Sequence, residues 1–237
     1  MEDLEYILIS IDGNIGSGKS TTLEDMKRKF PSWHFIDEPV HIWTQFVNEN
    51  NESLLEVFYK DKKRWSYTFQ NVAFMTRTRA INQAIKDWKQ LCKTNPEERK
   101  NNIFITERCV DTDYHVFAKM LKEDKSIDKM EWDIYRQWYR YLAPDCKVSG
   151  IIYVQCNPEK CHDRIKQRNR HGEETIPLDY LTQLHQYHED WINTTSIPTI
   201  FLDTEKNLID SHGNLNAKIG DLTYEDAILN FINSSKK

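Results

Sequence analysis

The stretch that decides the fold lies near the N-terminus and reads Ile7-Leu8-Ile9-Ser10-Ile11-Asp12-Gly13-Asn14-Ile15-Gly16-Ser17-Gly18-Lys19-Ser20. Its first part, from Ile7 to Ile11, is an apolar run of the kind that forms a buried strand. The part from Gly13 to Ser20 matches the phosphate-binding pattern G-x-x-x-x-G-K-S. The pattern follows a predicted strand and precedes a helix-forming run at 23–30. It therefore predicts a loop that binds a nucleoside triphosphate.

The residue types of this loop fit phosphate chemistry. Glycine accepts backbone conformations closed to other residues, so successive N–H groups can point inward at phosphate oxygens. Lys19 can reach the terminal phosphates, the Ser20 hydroxyl can ligate Mg²⁺, and the helix that follows directs its positive end at the same phosphates. We predict that the triphosphate contacts are Gly13, Asn14, Ile15, Gly16, Ser17, Gly18, Lys19, Ser20 and Thr21. The motif does not identify the phosphate acceptor.

Composition bounds the class of protein. The chain has 237 residues, of which 39% are hydrophobic and 29% charged, and this suits one globular α/β domain over residues 1–237. The net charge of −5 argues against a nucleic-acid partner. No targeting segment or apolar run of membrane length is visible, so we expect a cytoplasmic protein with no membrane partner. Five cysteines without C-x-x-C spacing indicate free thiols in a reducing compartment.

Acidic residues follow two further predicted strands. Glu38 ends a short strand at 33–36, and Glu107 with Arg108 follows an apolar strand at 103–106. Ligands of open α/β sheets bind at the carboxyl ends of the strands. Glu38 is therefore a candidate general base, with a surface glutamate before a turn as the equal alternative. Glu107 is a candidate for the Mg²⁺ side and Arg108 for a phosphate contact, with a structural ion pair as the alternative.

The segment from 42 to 92 is predicted to be helical and is rich in aromatic residues. Core packing explains most of them. However, Tyr59, Gln70 and Arg77 lie among these apolar residues, and a planar ligand fixed by a few polar groups needs this mixture. A solvated position on the helix surface is the alternative for Arg77.

A basic cluster occurs later in the chain. After an apolar strand at 150–154, Pro158 begins a predicted helix that carries Arg164 and Arg168 four residues apart on one face. Arg170 follows, before a glycine-containing loop at 171–174. Alone, this pattern favours a solvated basic helix. Together with the phosphate loop it predicts a helical lid over phosphates.

The remaining pattern completes a fold prediction. A helix is predicted at 177–192, a fifth strand at 197–202 and a closing helix at 223–232. Five strands that alternate with helices predict an α/β P-loop kinase fold, with a parallel, doubly wound five-stranded sheet flanked by helices.

At this point the motifs resemble those of the deoxyribonucleoside kinases of the deoxycytidine and deoxyguanosine kinase type. The resemblance extends from Ile7 to about Asp203. The matching pieces, in order, are the phosphate loop, Glu38-Pro39-Val40 with Trp43, the run 64–70 (Arg-Trp-Ser-Tyr-Thr-Phe-Gln), Glu107-Arg108, the arginines 164–170 and the run 176–181 (Ile-Pro-Leu-Asp-Tyr-Leu). Several motifs in the same order are far more specific than the phosphate loop alone.

The resemblance implies roles for the matching residues. Glu38 corresponds to the base that accepts the proton of the nucleoside 5′-hydroxyl, and Arg108 to the residue that orients it. Ser20 and Glu107 correspond to the Mg²⁺ ligands. The implied nucleoside contacts comprise a pair for the sugar 3′-hydroxyl (Tyr59 and Glu173), a group at the base edge (Gln70, Arg77 and Asp113), two aromatic faces (Phe69 and Phe117) and further apolar contacts (Val40, Trp43, Leu55 and Phe58).

The resemblance also implies substrates and an assembly. The Arg77 and Asp113 pair corresponds to members that act on deoxycytidine, deoxyadenosine or deoxyguanosine rather than thymidine. The donor is ATP, with UTP as an alternative, because residues 204–208 replace an acidic loop that contacts the donor base in the family. Cys109 and Asp111 replace the usual serine and tyrosine after Glu-Arg. A homodimer formed through long helices is implied, and the aromatic segment 129–143 is a candidate contributor.

Two other functions share some of these features. A nucleoside monophosphate kinase of the thymidylate kinase type has the same loop, sheet and lid, but Glu38 would repel the phosphate of its acceptor. A non-catalytic nucleotide-binding protein would not require Glu38, Glu107-Arg108 and the arginines together. We therefore expect a Mg²⁺-dependent deoxynucleoside kinase of nucleotide salvage.

Overall fold

A computed structural model describes residues 4–170, 173, 176–205, 218–219 and 222–234. The central sheet is parallel, with the strand order β2-β3-β1-β4-β5. Its strands are β1 (Ile7–Asp12), β2 (His34–Ile36), β3 (Ile103–Glu107), β4 (Gly150–Gln155) and β5 (Thr199–Asp203). The predicted five-stranded parallel α/β sheet is confirmed.

Helices connect the strands. The α-helices are α1 (Lys19–Lys29), α2 (Val40–Trp43), α3 (Leu54–Lys60), α4 (Lys62–Thr94), α5 (Val110–Thr112), α6 (Lys119–Glu123), α7 (Lys129–Leu142), α8 (Pro158–Arg168), α9 (Leu178–Thr194) and α10 (Tyr224–Ser234). A π-helical segment, Asp113–Ala118, joins α5 to α6, and 3₁₀ turns occupy Pro96–Lys100 and Ala143–Cys146.

Strand β1 lies at the centre of the sheet. It pairs with β3 on one side, where Ile9 is opposite Ile105, and with β4 on the other, where Ile11 is opposite Ile152. Every residue of β1 is buried. A strand covered on both faces requires a continuous apolar run, and the sequence Ile-Leu-Ile-Ser-Ile meets this requirement.

Two apolar cores cover the two faces of the sheet. On one face, Leu23 of α1 and Ile228 of α10 pack against alternate residues of β1 and β3. On the other, Phe74 of α4 and Leu184 of α9 belong to the larger core, which includes Leu8 and Phe104. The alternation of the strand side chains between faces produces this division. Among the described helices, none is both long enough and apolar enough to cross a membrane.

The predicted continuous helix at 42–92 is wrong in one respect, because it is divided into α2, α3 and α4. Ser53 begins α3 with a capping box, in which its hydroxyl accepts from the Glu56 backbone N–H and the Glu56 carboxylate accepts from the Ser53 backbone N–H. The Asp61 side chain then accepts from the Arg64 backbone N–H and begins α4. These local side-chain bonds start new helices where the aromatic pattern suggested continuity.

Two other elements differ from expectation. The short antiparallel pair β6 (Lys218–Ile219) and β7 (Leu222–Thr223) was not predicted. Asp111 replaces the tyrosine that is usual in the family. Helix α7 binds it, because the Asp111 carboxylate accepts a hydrogen bond from the Tyr139 hydroxyl. Most of the lid-loop positions 171–174 and residues 206–208 lie outside the described residues.

Candidate active site

A cavity of about 750 Å³ opens at the carboxyl ends of the strands. The phosphate loop after β1, Glu38 after β2 and Glu107 with Arg108 after β3 meet there. Helices α4 and α8 supply its other walls. Because all five strands run in the same direction, residues from distant parts of the sequence meet at this edge.

The phosphate loop has left-handed backbone at its glycines. The φ angles are +144° at Gly13 and +78° at Gly16. A Cβ atom at Gly13 would lie 2.4 Å from the Val154 carbonyl oxygen, and one at Gly16 would lie 2.5 Å from that of Cys161. Both positions therefore require glycine for conformation and for space.

Hydrogen bonds hold this loop in shape. The Lys19 ammonium donates to the Asn14 carbonyl oxygen at 2.6 Å, and the Asn14 side-chain amide donates to the Leu181 carbonyl oxygen of α9 at 2.8 Å. Burial, aided by the positive charge of Arg108, lowers the pKa of Lys19 to about 8. Among the described residues, no carboxylate forms an ion pair with Lys19, and a buried ammonium in this state favours the binding of an anion.

Ser20 and Glu107 meet beside the loop. The Ser20 hydroxyl lies 3.1 Å from each carboxylate oxygen of Glu107. Burial raises the pKa of Glu107, and the nearby charge of Glu38 adds to this effect. A cation bound at this carboxylate would relieve both effects.

Glu38 is held by two arginines. Its Oε1 accepts from Arg108 Nη1 at 2.7 Å and from Arg77 Nη2 at 3.1 Å. Burial opposes ionisation of Glu38, but the charges of Arg108, Arg77 and Lys19 outweigh it and lower its pKa to about 2. Glu38 is therefore a carboxylate at every pH at which the protein would be assayed.

Arg108 has an unusual backbone conformation that directs its side chain into the cavity. Its φ is +61°, in the left-handed region. The backbone on both sides of it is fixed: Arg108 N–H donates to the Ile11 carbonyl oxygen at 3.0 Å, and its carbonyl oxygen accepts from the Thr106 hydroxyl at 3.0 Å. Strain of this kind persists where surrounding bonds over-determine the conformation, and it is common at functional sites.

Arg77 connects three groups. Its guanidinium binds both carboxylate oxygens of Asp113, at 2.9 and 3.3 Å, besides Glu38. It also donates to the backbone carbonyl oxygen of Glu107 at 2.7 Å. Arg77 and Asp113 are buried, so the solvated alternative for Arg77 is excluded.

Gln70 differs from these paired groups. It lines the cavity from α4, one helical turn before Ala73, and its buried Oε1 has no hydrogen-bond partner among the described residues. A buried amide oxygen without a partner is costly unless a ligand donates to it.

Aromatic side chains form the apolar wall. Phe69 faces the cavity and stacks on Phe58, with ring centroids 4.5 Å apart. Phe117 lies under the Arg108 guanidinium, 5.1 Å from it. Both Phe117 and Asp113 lie on the π-helical segment, a feature frequent at functional sites. Burial, followed by the neighbouring Tyr180 and Glu173, raises the pKa of Tyr59, which keeps its hydroxyl protonated.

The three arginines of the predicted lid bind two kinds of partner: Arg164 binds backbone carbonyl groups, and the other two share one carboxylate. Arg164 donates to the backbone carbonyl oxygens of Ser17 at 3.1 Å and Thr204 at 2.6 Å, so it ties α8 to the phosphate loop and to the end of β5. Arg168 and Arg170 both pair with the Glu173 carboxylate. Arg170 lies beyond the end of α8, which Asn169 terminates in a left-handed conformation.

Most of the predicted site residues line this one cavity. Those on the donor side are Ile15, Gly16, Gly18, Lys19, Ser20, Thr21, Glu107, Arg164, Arg168 and Arg170. Those on the acceptor side are Glu38, Val40, Trp43, Leu55, Tyr59, Phe69, Gln70, Arg77, Arg108, Asp113, Phe117 and Glu173.

Some predicted residues lie behind the wall, and some lining residues were missed. Four predicted residues do not line the cavity. Gly13, Asn14 and Ser17 shape the phosphate loop from behind, and Phe58 supports Phe69. The missed lining residues are Ala73, Lys160, Asp163 and Gln167. Helical periodicity contained the signal, because Lys160 precedes Arg164 by four residues and Ala73 precedes Arg77 by four.

The model of the deoxynucleoside kinase family matches residues 9–222. The chain belongs to the deoxynucleoside kinase family. This match includes every predicted site residue and favours the nucleoside kinase over the two alternative functions.

Individual relatives agree with the family assignment. A mitochondrial deoxyguanosine kinase of Xenopus laevis is 32% identical over 87% of this chain and 84% of its own length. A deoxycytidine kinase of Mus musculus is 33% identical over 89% of this chain and 88% of its own length. A probable deoxycytidine kinase of Fowlpox virus (strain NVSL) is 34% identical over 85% and 80%, respectively. The chain is thus an ATP-dependent deoxynucleoside kinase of nucleotide salvage.

We predict that donor binding depends on pH, because the pKa of Lys19 is lowered. Above about pH 8, Lys19 of the empty kinase loses its proton, and triphosphate must bind with uptake of one. We expect the dissociation constant of a non-hydrolysable ATP analogue to rise up to about tenfold per pH unit above pH 8. Deoxynucleoside binding should change much less. Calorimetric titrations between pH 7 and 9.5 measure both.

Lys19→Arg is the control, because an arginine keeps its charge over this range and should abolish the slope even if binding is weaker. An unchanged donor dissociation constant up to pH 9.5 would contradict the prediction. The lowered pKa of Lys19 also affects the free energy of unfolding. Between about pH 8 and 10.5, Lys19 of the unfolded chain binds a proton that Lys19 of the folded chain does not. This contribution makes the empty kinase more stable as the pH rises.

Proposed function

We propose that this kinase transfers the γ-phosphate of ATP to the 5′-hydroxyl of deoxycytidine, deoxyadenosine or deoxyguanosine, with Glu38 as the general base and Arg108 as its orienting partner. The observation that carries the proposal is Glu38 itself. It is a carboxylate held by Arg108 and Arg77 in the same cavity as the phosphate loop. A hydroxyl bound at this carboxylate would be presented to the terminal phosphate of the donor.

Glu38 acts mainly by position. With a pKa of about 2 it is a weak base, and it does not remove the hydroxyl proton before the reaction begins. In a loose phosphoryl-transfer transition state, the attacking oxygen carries little bond order and keeps its proton until late. A fixed carboxylate then needs only to align the hydroxyl and receive the proton as the new P–O bond forms.

The residues beside the phosphate loop fit Mg²⁺. Hydroxyl and carboxylate oxygens are the ligands that this ion prefers, and Ser20 and Glu107 offer both within 3.1 Å of each other. Among the described residues, no three His, Cys, Asp or Glu side chains form a metal cluster. The ion would therefore take further oxygens from phosphates and water, and would neutralise phosphate charge. The donor is proposed as ATP, with UTP as an alternative, because residues 204–208 replace the acidic loop that contacts the donor base in the family.

The base-edge residues support a substrate with an exocyclic amino group. Gln70 offers one donor and one acceptor side by side, and its Oε1 is without a partner. The Asp113 carboxylate is a second acceptor, and an ion pair with Arg77 holds it in place. Cytosine and adenine present a ring acceptor next to an amino donor. The size of the cavity does not choose among the three deoxynucleosides.

The first test is Glu38→Gln, which keeps the shape and removes the basicity. We expect kcat to fall about 10²–10⁴-fold, the usual contribution of a general base, while the deoxynucleoside dissociation constant changes by only a few-fold. Asp37→Asn is the matched control, because Asp37 is the adjacent carboxylate but is exposed and pairs with Lys27 on the surface. Turnover of Glu38→Gln at the wild-type rate would refute the assignment.

The second test concerns the accepted base. We expect thymidine to be disfavoured by about 1–3 kcal/mol, or roughly 5–150-fold in kcat/KM, because it offers no amino donor to Asp113 and leaves the acceptor capacity that Arg77 does not use unfilled in a buried carboxylate. The double variant Arg77→Met with Asp113→Ala should raise the ratio of thymidine to deoxycytidine kcat/KM at least tenfold. Arg77 also binds Glu38, so overall turnover should fall and only the ratio reports on specificity.

Both changes are required together, since Arg77→Met alone leaves Asp113 buried without that ion-pair partner. This would lower the free energy of unfolding by about 3–5 kcal/mol. Arg79→Met is the control, because Arg79 is exposed on the same helix and should leave the ratio unchanged. Thymidine as the best substrate of the unmodified kinase would overturn the roles of Arg77 and Asp113.

We further propose a homodimer formed through α7. The support is a stripe of exposed apolar side chains along one face of this helix: Met130, Ile134, Trp138 and Tyr141. Met130 is 73% and Tyr141 82% exposed. A contiguous exposed apolar surface of this kind marks an interface, and a twofold axis would bury the stripe against its copy.

Trp138→Glu should convert the dimer into a species of 28.3 kDa in light scattering. Arg140→Glu introduces the same side chain on α7 away from the stripe, and should leave the mass at twice that value. A monomeric wild-type kinase at micromolar concentration would refute this assembly.

A cytoplasmic location and a single domain over residues 1–237 complete the proposal. Five free, buried thiols support a reducing compartment. One relative is named mitochondrial, so cell fractionation is the direct measurement.

A further inference from the structure

The Glu173 carboxylate binds two arginines at once. Its Oε2 accepts from Arg168 Nη2, and its Oε1 accepts from Arg170 Nη1 at 3.3 Å. The carboxylate is 7% exposed, whereas the side chains of Arg168 and Arg170 are 34% and 38% exposed. All three residues line the cavity. A single buried anion therefore holds both cations.

Both arginines are suited to phosphate. A guanidinium matches phosphate oxygens through paired N–H groups, and these charge-assisted bonds are strong. Lys19 and the phosphate loop line the same cavity. A triphosphate bound there carries several negative charges, and it competes with the one negative charge of Glu173 for these two guanidinium groups.

Glu173 also faces the acceptor side of the cavity. Tyr59 lines the same cavity, and burial, then Tyr180, and then the negative charge of Glu173 raise the pKa of its phenol. A carboxylate accepts hydrogen bonds and cannot donate them. A deoxynucleoside has two hydroxyl groups, and the 5′-hydroxyl is assigned to Glu38. The resemblance to the deoxyribonucleoside kinases implies that the hydroxyl held by Glu173 is the one at the 3′ position.

We propose that Glu173 couples the two substrate sites by exchanging partners. In the empty kinase it holds Arg168 and Arg170. A bound triphosphate takes over both arginines and leaves Glu173 free to accept a hydrogen bond from the 3′-hydroxyl. Donor and acceptor then strengthen each other's binding by the same factor, as linkage requires. This inference rests on the proposed function, because it assumes a deoxynucleoside acceptor.

The test is a calorimetric binding cycle with deoxycytidine and a non-hydrolysable ATP analogue in the presence of Mg²⁺. For the wild-type kinase we expect saturating analogue to lower the deoxycytidine dissociation constant about tenfold, within the range usual for coupled sites. The gain should be absent for 2′,3′-dideoxycytidine, which has no 3′-hydroxyl.

Glu173→Gln separates partner exchange from general damage to the site. A neutral amide holds the arginines less strongly than a carboxylate does, so this variant should bind the ATP analogue more tightly than the wild type when no nucleoside is present. A damaged site would bind it more weakly. The coupling factor should fall to within twofold of one. Glu159→Gln removes the same charge from an exposed position of α8 and should keep the tenfold coupling.

A second variant keeps the proposal testable if Glu173→Gln does not fold. Arg168→Gln with Arg170→Gln frees Glu173 permanently, so deoxycytidine should bind with the affinity that the wild type shows only with the analogue. Equal deoxycytidine affinity with and without analogue in a wild-type kinase that phosphorylates it would overturn the coupling alone. Failure of the wild type to bind or phosphorylate any deoxynucleoside would instead count against the proposed function.

Discussion

The site depends on the sharing of one partly buried carboxylate by two guanidinium groups. Glu38 accepts from both Arg108 and Arg77, and neither arginine is solvated. Burying these charges is costly, and removal of any one would leave an uncompensated charge in the cavity. Because the two arginines come from different elements, the same bonds fix the position of helix α4 and of the turn after β3 relative to β2.

This arrangement explains the other polar contacts of the acceptor wall. Arg77 has N–H groups left after it binds Glu38, and it uses them for Asp113 and for the Glu107 backbone. Asp113 is thereby held at the proposed base edge, and Glu107 is held beside Ser20. Arg77 thus links the positions of three groups: the candidate general base, the proposed base-edge acceptor and the candidate metal ligand. A change at Arg77 is expected to affect turnover as well as specificity for this reason.

Part of the site was predictable because its signals are local. The phosphate loop, the carboxylates at strand ends and the paired arginines of α8 are each visible within a few residues of sequence. The division of the segment 42–92 into three helices was missed, although the Ser53 and Glu56 capping box is a local signal. The lining residues Ala73 and Lys160 were also missed, although they occur at helical spacing from Arg77 and Arg164.

The sequence by itself determined the parallel sheet, the phosphate loop and the residue types available for catalysis, because strand periodicity and loop conformation depend on neighbouring residues. Only the tertiary structure decided how these residues pair. Arg77 and Glu38 are 39 positions apart, and no spacing rule relates them. The pairing of the Glu173 carboxylate with both Arg168 and Arg170, likewise, is not visible in the sequence. Such pairing depends on how helices pack against the sheet and on which charges must be neutralised once water is excluded.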